Sequence, residues 1–271
     1  MKKRKKYKRE QRSFYFSNLI EVERIYSGNG GGKGKKREKR QKPTEEQIKK
    51  QNQHNREKHL RRILLANFEE NDLWVLLTYL KGVRTSAKPA KKDFRRFIRM
   101  LRKEWRKRGH ELKWVVRTEV GKKGASHHHL LINRIPDGDI IIKDCWRKIE
   151  GAGFPSYKHV YEEGGFESLA HYITKPPEED GEEEKTERNY SRSRNLIIPE
   201  PEITRALKRE MIKYPEPLPG YYIDEGSVVM GTNPITGCEY QYFTMYRIKP
   251  VRMREKPEWI HAEPERMQEG G

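Results

Sequence analysis

KWVVRTEVGKKGASHHHLLIN, residues 113–133, decides the fold. Two apolar runs, Trp114-Val115-Val116 and Leu130-Leu131-Ile132, flank a polar centre holding Gly121, Lys122, Lys123 and Gly124. The pattern predicts two antiparallel strands, Lys113 to Val120 and His127 to Asn133, joined by a tight turn. Alternate side chains of a strand share a face, so His127 and His129 point one way and His128 the other. Register decides whether Glu119 joins the pair. If Gly121 pairs with Ala125 across Lys122-Lys123-Gly124, Glu119 lies opposite His127. Loops of two or four residues set Thr118 there instead and turn Glu119 away. Three-residue hairpins often end in a left-handed residue, and Gly124 is the residue that tolerates that conformation. The first register is therefore expected, with Glu119, His127 and His129 as metal ligands on one face. Neutral imidazole with carboxylate and water suits Mn2+, with Mg2+ where substrate phosphate completes the shell.

Around this hairpin the chain reads as alternating elements. Thr44-Glu45-Glu46-Gln47 is a capping box that opens a helix to about Ala66. Leu73 to Leu80 is an apolar strand. Phe94, Phe97, Ile98, Leu101 and Trp105 recur with helical spacing, and the other face of that helix is crowded with arginine and lysine. It ends at Gly109. Beyond the hairpin come Ile140-Ile141-Ile142 and a helix through Trp146 to Gly151, a short strand from Tyr157 to Tyr161, and a helix from Phe166 stopped by Pro176-Pro177. The order strand, helix, strand, strand, helix, strand, helix predicts an α+β fold: a central antiparallel sheet with helices on one side. Residues 178–187 are acidic and read as a solvated loop. Tyr221 to Met230 and Glu239 to Ile248 read as a hairpin around residues 233–237. The expected organisation is a basic flexible arm over 1–43, a helix over 44–66 leading into the domain, a domain over 67–200, and a C-terminal extension over 201–271 containing that hairpin.

Bulk composition narrows the partners. Of 271 residues, 33 % are hydrophobic and 37 % charged, and the formal net charge is +19. Such an excess attracts polyanions, and nucleic acid is the expected one. Only Cys145 and Cys238 are present, with no Cys-x-x-Cys pair, so a Cys-ligated zinc module is not expected and a reducing cytoplasmic setting is. No run reaches the roughly 20 apolar residues that span a bilayer. Ser27 to Gly34 is glycine-rich, but Gly34 follows Lys33 where a phosphate loop needs Ser or Thr, so no nucleotide site is expected there.

One tyrosine stands apart. On a helix from Phe166 to Lys175, the residues Phe166, Leu169, Ala170 and Ile173 make the apolar stripe. Tyr172 and Lys175 fall off it, about 60° from each other. A phenol with an ordinary pKa of about 10 needs a nearby cation to act as a nucleophile.

Three pieces in this order resemble the HUH-superfamily rolling-circle replication initiators of plasmids, phages and bacterial mobile elements. Leu76-Leu77-Thr78-Tyr79 resembles the first apolar strand motif, His127-His128-His129 the His-hydrophobe-His motif, and Tyr172 with Lys175 the Tyr-x-x-Lys motif. Glu119 stands where some members carry a third ligand. His128 departs from the pattern, since an aliphatic or aromatic residue is usual there, and it leaves the ligand phase open. The resemblance covers about residues 67–200 and implies a ferredoxin- or RRM-like HUH endonuclease domain. It implies a metal-dependent enzyme that nicks one DNA strand at an origin, with Tyr172 joined to the 5′ phosphate and a later transfer resealing the strand. Single-stranded DNA and origin duplex DNA are the implied partners, with helicase and polymerase from the host. A single-tyrosine transposase, or a non-catalytic basic nucleic-acid-binding protein, are the alternatives.

Overall fold

The computed structural model describes residues 8–26, 43–83, 85–121, 124–160, 166–176, 190–233 and 238–249. In chain order its elements are β1 (Arg9–Tyr15), β2 (Leu19–Tyr26), α1 (Glu45–Asn67), β3 (Leu73–Leu77), α2 (Ala87–Lys107), β4 (Trp114–Val120), β5 (Ser126–Ile132), α3 (Gly138–Trp146), β6 (Ser156–His159), α4 (Glu167–Thr174), β7 (Ser191–Arg192), β8 (Glu202–Arg205), α5 (Lys208–Ile212), β9 (Tyr221–Ile223), β10 (Val229–Thr232) and β11 (Glu239–Arg247). The fold is α+β, with two antiparallel sheets. The chain divides into two compact units, one from residues 8–52 and 199–249, the other from residues 53–198.

The unit of residues 53–198 holds a five-stranded sheet in the order β6-β3-β5-β4-β7. The elements β3, α2, β4, β5, α3, β6 and α4 follow the succession expected from the sequence. Helices flank both faces of this sheet, not one. On one face the α2 residues Phe94, Phe97, Leu101 and Trp105 pack with Ile142 and Trp146 of α3 against Val75, Leu77, Leu130 and Ile132. On the other, Leu60, Ile63 and Leu64 of α1 pack with Ala170 and Ile173 of α4 against Val115 and Leu131. The cause is visible in β5: Leu130, Leu131 and Ile132 are consecutive and all fully buried, so the strand is apolar on both sides.

The remaining unit changes the expectation for the chain's start. Arg9–Tyr26 is not a flexible arm but the hairpin β1–β2, paired from Arg9↔Tyr26 to Tyr15↔Ile20. Its sheet runs β10-β11-β2-β1-β8, with β9 also on β11. Lysine and arginine dominate the composition there, but the pattern beneath them alternates: Ile20 and Val22 of β2 join Phe243 and Met245 of β11 in one buried cluster. The expected C-terminal hairpin is present as β10 paired antiparallel with β11, Thr232 opposite Glu239. It does not form a separate extension, because β11 also pairs with β2, Phe243 opposite Val22. The glycine-rich stretch, the acidic run and the turn centre at 234–237 lie outside the described residues.

Candidate metal centre and nucleophile

The β4–β5 hairpin has the register that brings Glu119 to the histidines. Glu119 pairs with His127, Thr118 with His128 and Arg117 with His129. The Gly121 N–H donates to Ala125 O at 2.9 Å, and Gly124 N–H to Gly121 O at 2.8 Å. Gly124 has φ 76°, the left-handed conformation that sets this register. As a result, a ligand atom from each of Glu119, His127 and His129 lies within 4.8 Å of the others. One carboxylate oxygen serves both rings: Glu119 Oε2 is 3.3 Å from Nε2 of His127 and 3.3 Å from Nε2 of His129. Converging imidazole nitrogens and a carboxylate oxygen, each part-exposed so that water can complete a shell, fit a divalent cation.

Tyr172 reaches this cluster from α4. Its hydroxyl donates to Glu119 Oε2 at 3.0 Å and lies 2.7 Å from His129 Nε2. Burial raises the phenol's pKa above its ordinary value, and the Glu119 charge raises it further; Arg117 works the other way. The opposite shift holds Glu119 ionised. Hydrogen bonds from His127 and His129 keep its carboxyl well below the usual carboxylate range, with the charge of Arg117 adding to them against the cost of burial.

Two side chains that the sequence reading passed over complete the surroundings. Arg117 is buried, pairs through Nε with Glu119 Oε1, and donates from Nη1 to the backbone oxygens of Tyr172 (2.9 Å), Ile173 (3.2 Å) and Lys175 (2.5 Å). Those carbonyls are the orphans of the α4 C-terminus, so one guanidinium ties the tyrosine's helix to the carboxylate. Its signal in the sequence is an arginine inside an apolar strand, two residues before Glu119 and hence on the same face. Trp74 lies across β3. Its ring stacks on His129 at 5.7 Å between centroids and meets Tyr172 edge-on at 6.1 Å. β3 is apolar throughout, so the sequence alone does not single out Trp74; the structure shows Leu73, Val75 and Leu77 buried on one face and Trp74 half-buried on the other.

His128 lies apart from this cluster, and Lys175 meets it through its backbone oxygen, which accepts from Arg117. The helix ends at Thr174, and Lys175 is its exposed C-cap in extended conformation (ψ 132°), so helical projection no longer places it relative to Tyr172. The Arg117 guanidinium lies over the Tyr172 ring, at 5.7 Å. His128 lies on the opposite sheet face, fully buried, with Nδ1 2.9 Å from Thr118 Oγ1 and its ring 5.2 Å from Phe94 and 5.6 Å from Trp146. Burial, then the neighbouring histidines, pull its pKa down to about 3. It fills the core position where the resembled motif has a hydrophobe, on the sheet face away from Glu119, His127 and His129.

No curated protein and no solved structure matches the chain. One family model does, over residues 72–177, a span that runs from β3 through α4 and contains Arg117, Glu119, His127, His129 and Tyr172; the family is that of the replication-associated protein ORF2.

Proposed function

We propose that the chain is an HUH-type DNA nicking endonuclease and strand transferase that starts rolling-circle replication through a covalent 5′-phosphotyrosine on Tyr172. The observation that carries this reading is the Tyr172 hydroxyl at hydrogen-bond distance from both Glu119 and His129. The match of residues 72–177 supports a role in replication initiation.

Glu119, His127 and His129 would hold Mn2+ or Mg2+, which when bound supplies positive charge to polarise a phosphate oxygen of the scissile bond. The chain's own residues do the rest. Arg117 fixes Glu119 Oε1, leaving Oε2 directed at the histidines. The same arginine anchors the end of α4, holding Tyr172 at the cluster. Tyr172 Oη gives up its proton and attacks phosphorus, the Oη–P bond forms, the P–O3′ bond breaks and a proton goes to the freed 3′ oxygen, so the proton count is unchanged. Burial and the Glu119 charge raise the phenol's pKa, so Tyr172 stands beside the cluster as the neutral phenol.

Incubation with single-stranded origin DNA and Mn2+ tests this. The expected result is a covalent protein–DNA adduct that is stable to denaturant and absent in Tyr172→Phe. Salt-sensitive retention of DNA with no cleavage by the unaltered chain would instead identify a binding protein.

A further inference from the structure

The outer face of α2 carries a charge pattern that the cluster at Tyr172 does not use. Every exposed residue of this helix except Pro89 is lysine or arginine. Lys88, Lys92, Arg95, Arg99, Arg102 and Arg106 follow one another at steps of four, three, four, three and four. At about 100° per residue these steps keep all six within an arc of about 80°, opposite the buried stripe of Phe94, Phe97, Leu101 and Trp105. The row is straight and about 27 Å long at a rise of about 1.5 Å per residue. The helix has two acids, and neither neutralises the row. Asp93 accepts from the Tyr79 hydroxyl at 3.1 Å, and Glu104 is held by Lys107 and Arg108 at 2.9 and 2.8 Å.

We infer that this face of α2 is a docking track for the phosphate backbone of duplex DNA, separate from the site that receives the strand to be cut. The inference rests on the function proposed above only for its purpose, the duplex flanking a nick. Three observations choose the occupant. The row holds cations alone, at a spacing of one per about 4.5–6 Å (about 1.5 Å per residue), against a polymer with one negative charge per about 1.7 Å of axis. No aromatic is exposed along it, since Phe94, Phe97 and Trp105 are all buried, whereas single-strand grooves pair cations with stacking rings. The apolar face of α2 is committed to the core, so the helix has nothing to insert into a lipid surface. A long straight row also suits a stiff partner better than a flexible one. The track lies on the sheet face opposite Tyr172, because α2 packs on the side of Leu130 and Ile132 while Tyr172 packs with the Leu131 side. A docked duplex and a strand at Tyr172 therefore do not compete for space.

The test is binding without divalent cation, so it reads nothing of cleavage. Full-length protein is titrated, over a range of KCl, with a duplex of about 30 base pairs of arbitrary sequence and with one of its strands alone. Replacing Arg95, Arg99 and Arg102 together by alanine is expected to weaken duplex binding at least about tenfold and to reduce the slope of log K against log salt by about 2.7, which is about 0.9 per lost phosphate contact. The corresponding triple lysine variant is expected to keep the slope, as contacts to phosphate charge require. An unchanged slope in the alanine variant overturns the inference. So does an equal loss on the single strand, or a lysine variant as weak as the alanine one. A failed Tyr172→Phe experiment would sink the nuclease reading and leave these outcomes untouched.

Discussion

His128 and its neighbours show how one step along a strand changes a side chain's chemistry. His127 and His129 face an open, carboxylate-bearing cluster, while His128 is sealed among Phe94, Trp146 and Tyr79. Its folded pKa, about 3, lies below the ordinary value of about 6.5. The unfolded chain therefore binds the extra proton first as pH falls. His128 contributes stability that is fully present above pH of about 6.5 and is lost as pH drops toward about 3, at up to about 1.4 kcal/mol per pH unit. Replacing it by phenylalanine should flatten the fall of stability over that window, measured by denaturant unfolding at several pH values; an unchanged slope would mean that other groups carry it. Arg117 yields a second expectation. Removing it as Arg117→Met frees Glu119 Oε1 and the α4 carbonyls, and should cost about 10–100-fold in divalent-metal affinity by calorimetric titration, as loss of an outer-sphere partner does. Metal binding equal to that of the unaltered chain would reject the link. The convergence of Glu119, His127 and His129 could be read because strand alternation and turn chemistry are local rules. For Arg117 the sequence gives a strand face but not the partners, and the same holds for Trp74, because their contacts arise from β4 meeting α4 and β3 meeting β5, which no short window contains.

The β4–β5 hairpin sets the geometry of the cluster through one backbone angle. Gly124 at φ 76° permits the turn that sets Glu119 against His127. Gly124→Val should cost about 1–2 kcal/mol of stability for the left-handed conformation. It should also weaken metal binding, because relief of that strain favours registers in which Glu119 turns away. A variant that lost stability but kept full metal affinity would separate the turn from the site. The element order was legible because each piece carries its own signal: spacings of three, four, seven and eleven for α2, short apolar runs for β3 and β5. What remained hidden was which faces the helices cover. The run Leu130-Leu131-Ile132 held the answer, since a strand buried on both sides needs a helix layer on each. The limit of α4 was likewise hidden. Pro176 signals an end, but Lys175 leaves the helix one residue ahead of it, which detaches that lysine from the helical spacing used to place it.

The widest gap between sequence and structure lies in how β2 meets β11. Composition makes residues 1–43 look like a solvated tail, and local reading cannot see that β2 is paired with a strand near residue 240. Because β1 and β2 stand between β8 and β11, deleting residues 1–26 should do more than trim the protein. It should leave residues 199–249 open to limited proteolysis while metal binding by residues 53–198 persists. Equal protease resistance with and without those residues would contradict the pairing. No described helix is long and apolar enough to cross a membrane.

That pairing also has a consequence for biosynthesis. β1 and β2 leave the ribosome roughly 200 residues before β11, which at about 5–20 residues per second is a wait of about 10–40 s. During that interval a two-stranded ribbon is exposed with both borders open, the state in which nascent chains adhere to one another. Arg9, Glu10, Arg12, Glu21, Glu23 and Arg24 punctuate those two strands with charge of both signs, so the same residues that disguise the hairpin as a tail would keep it from sticking while it waits.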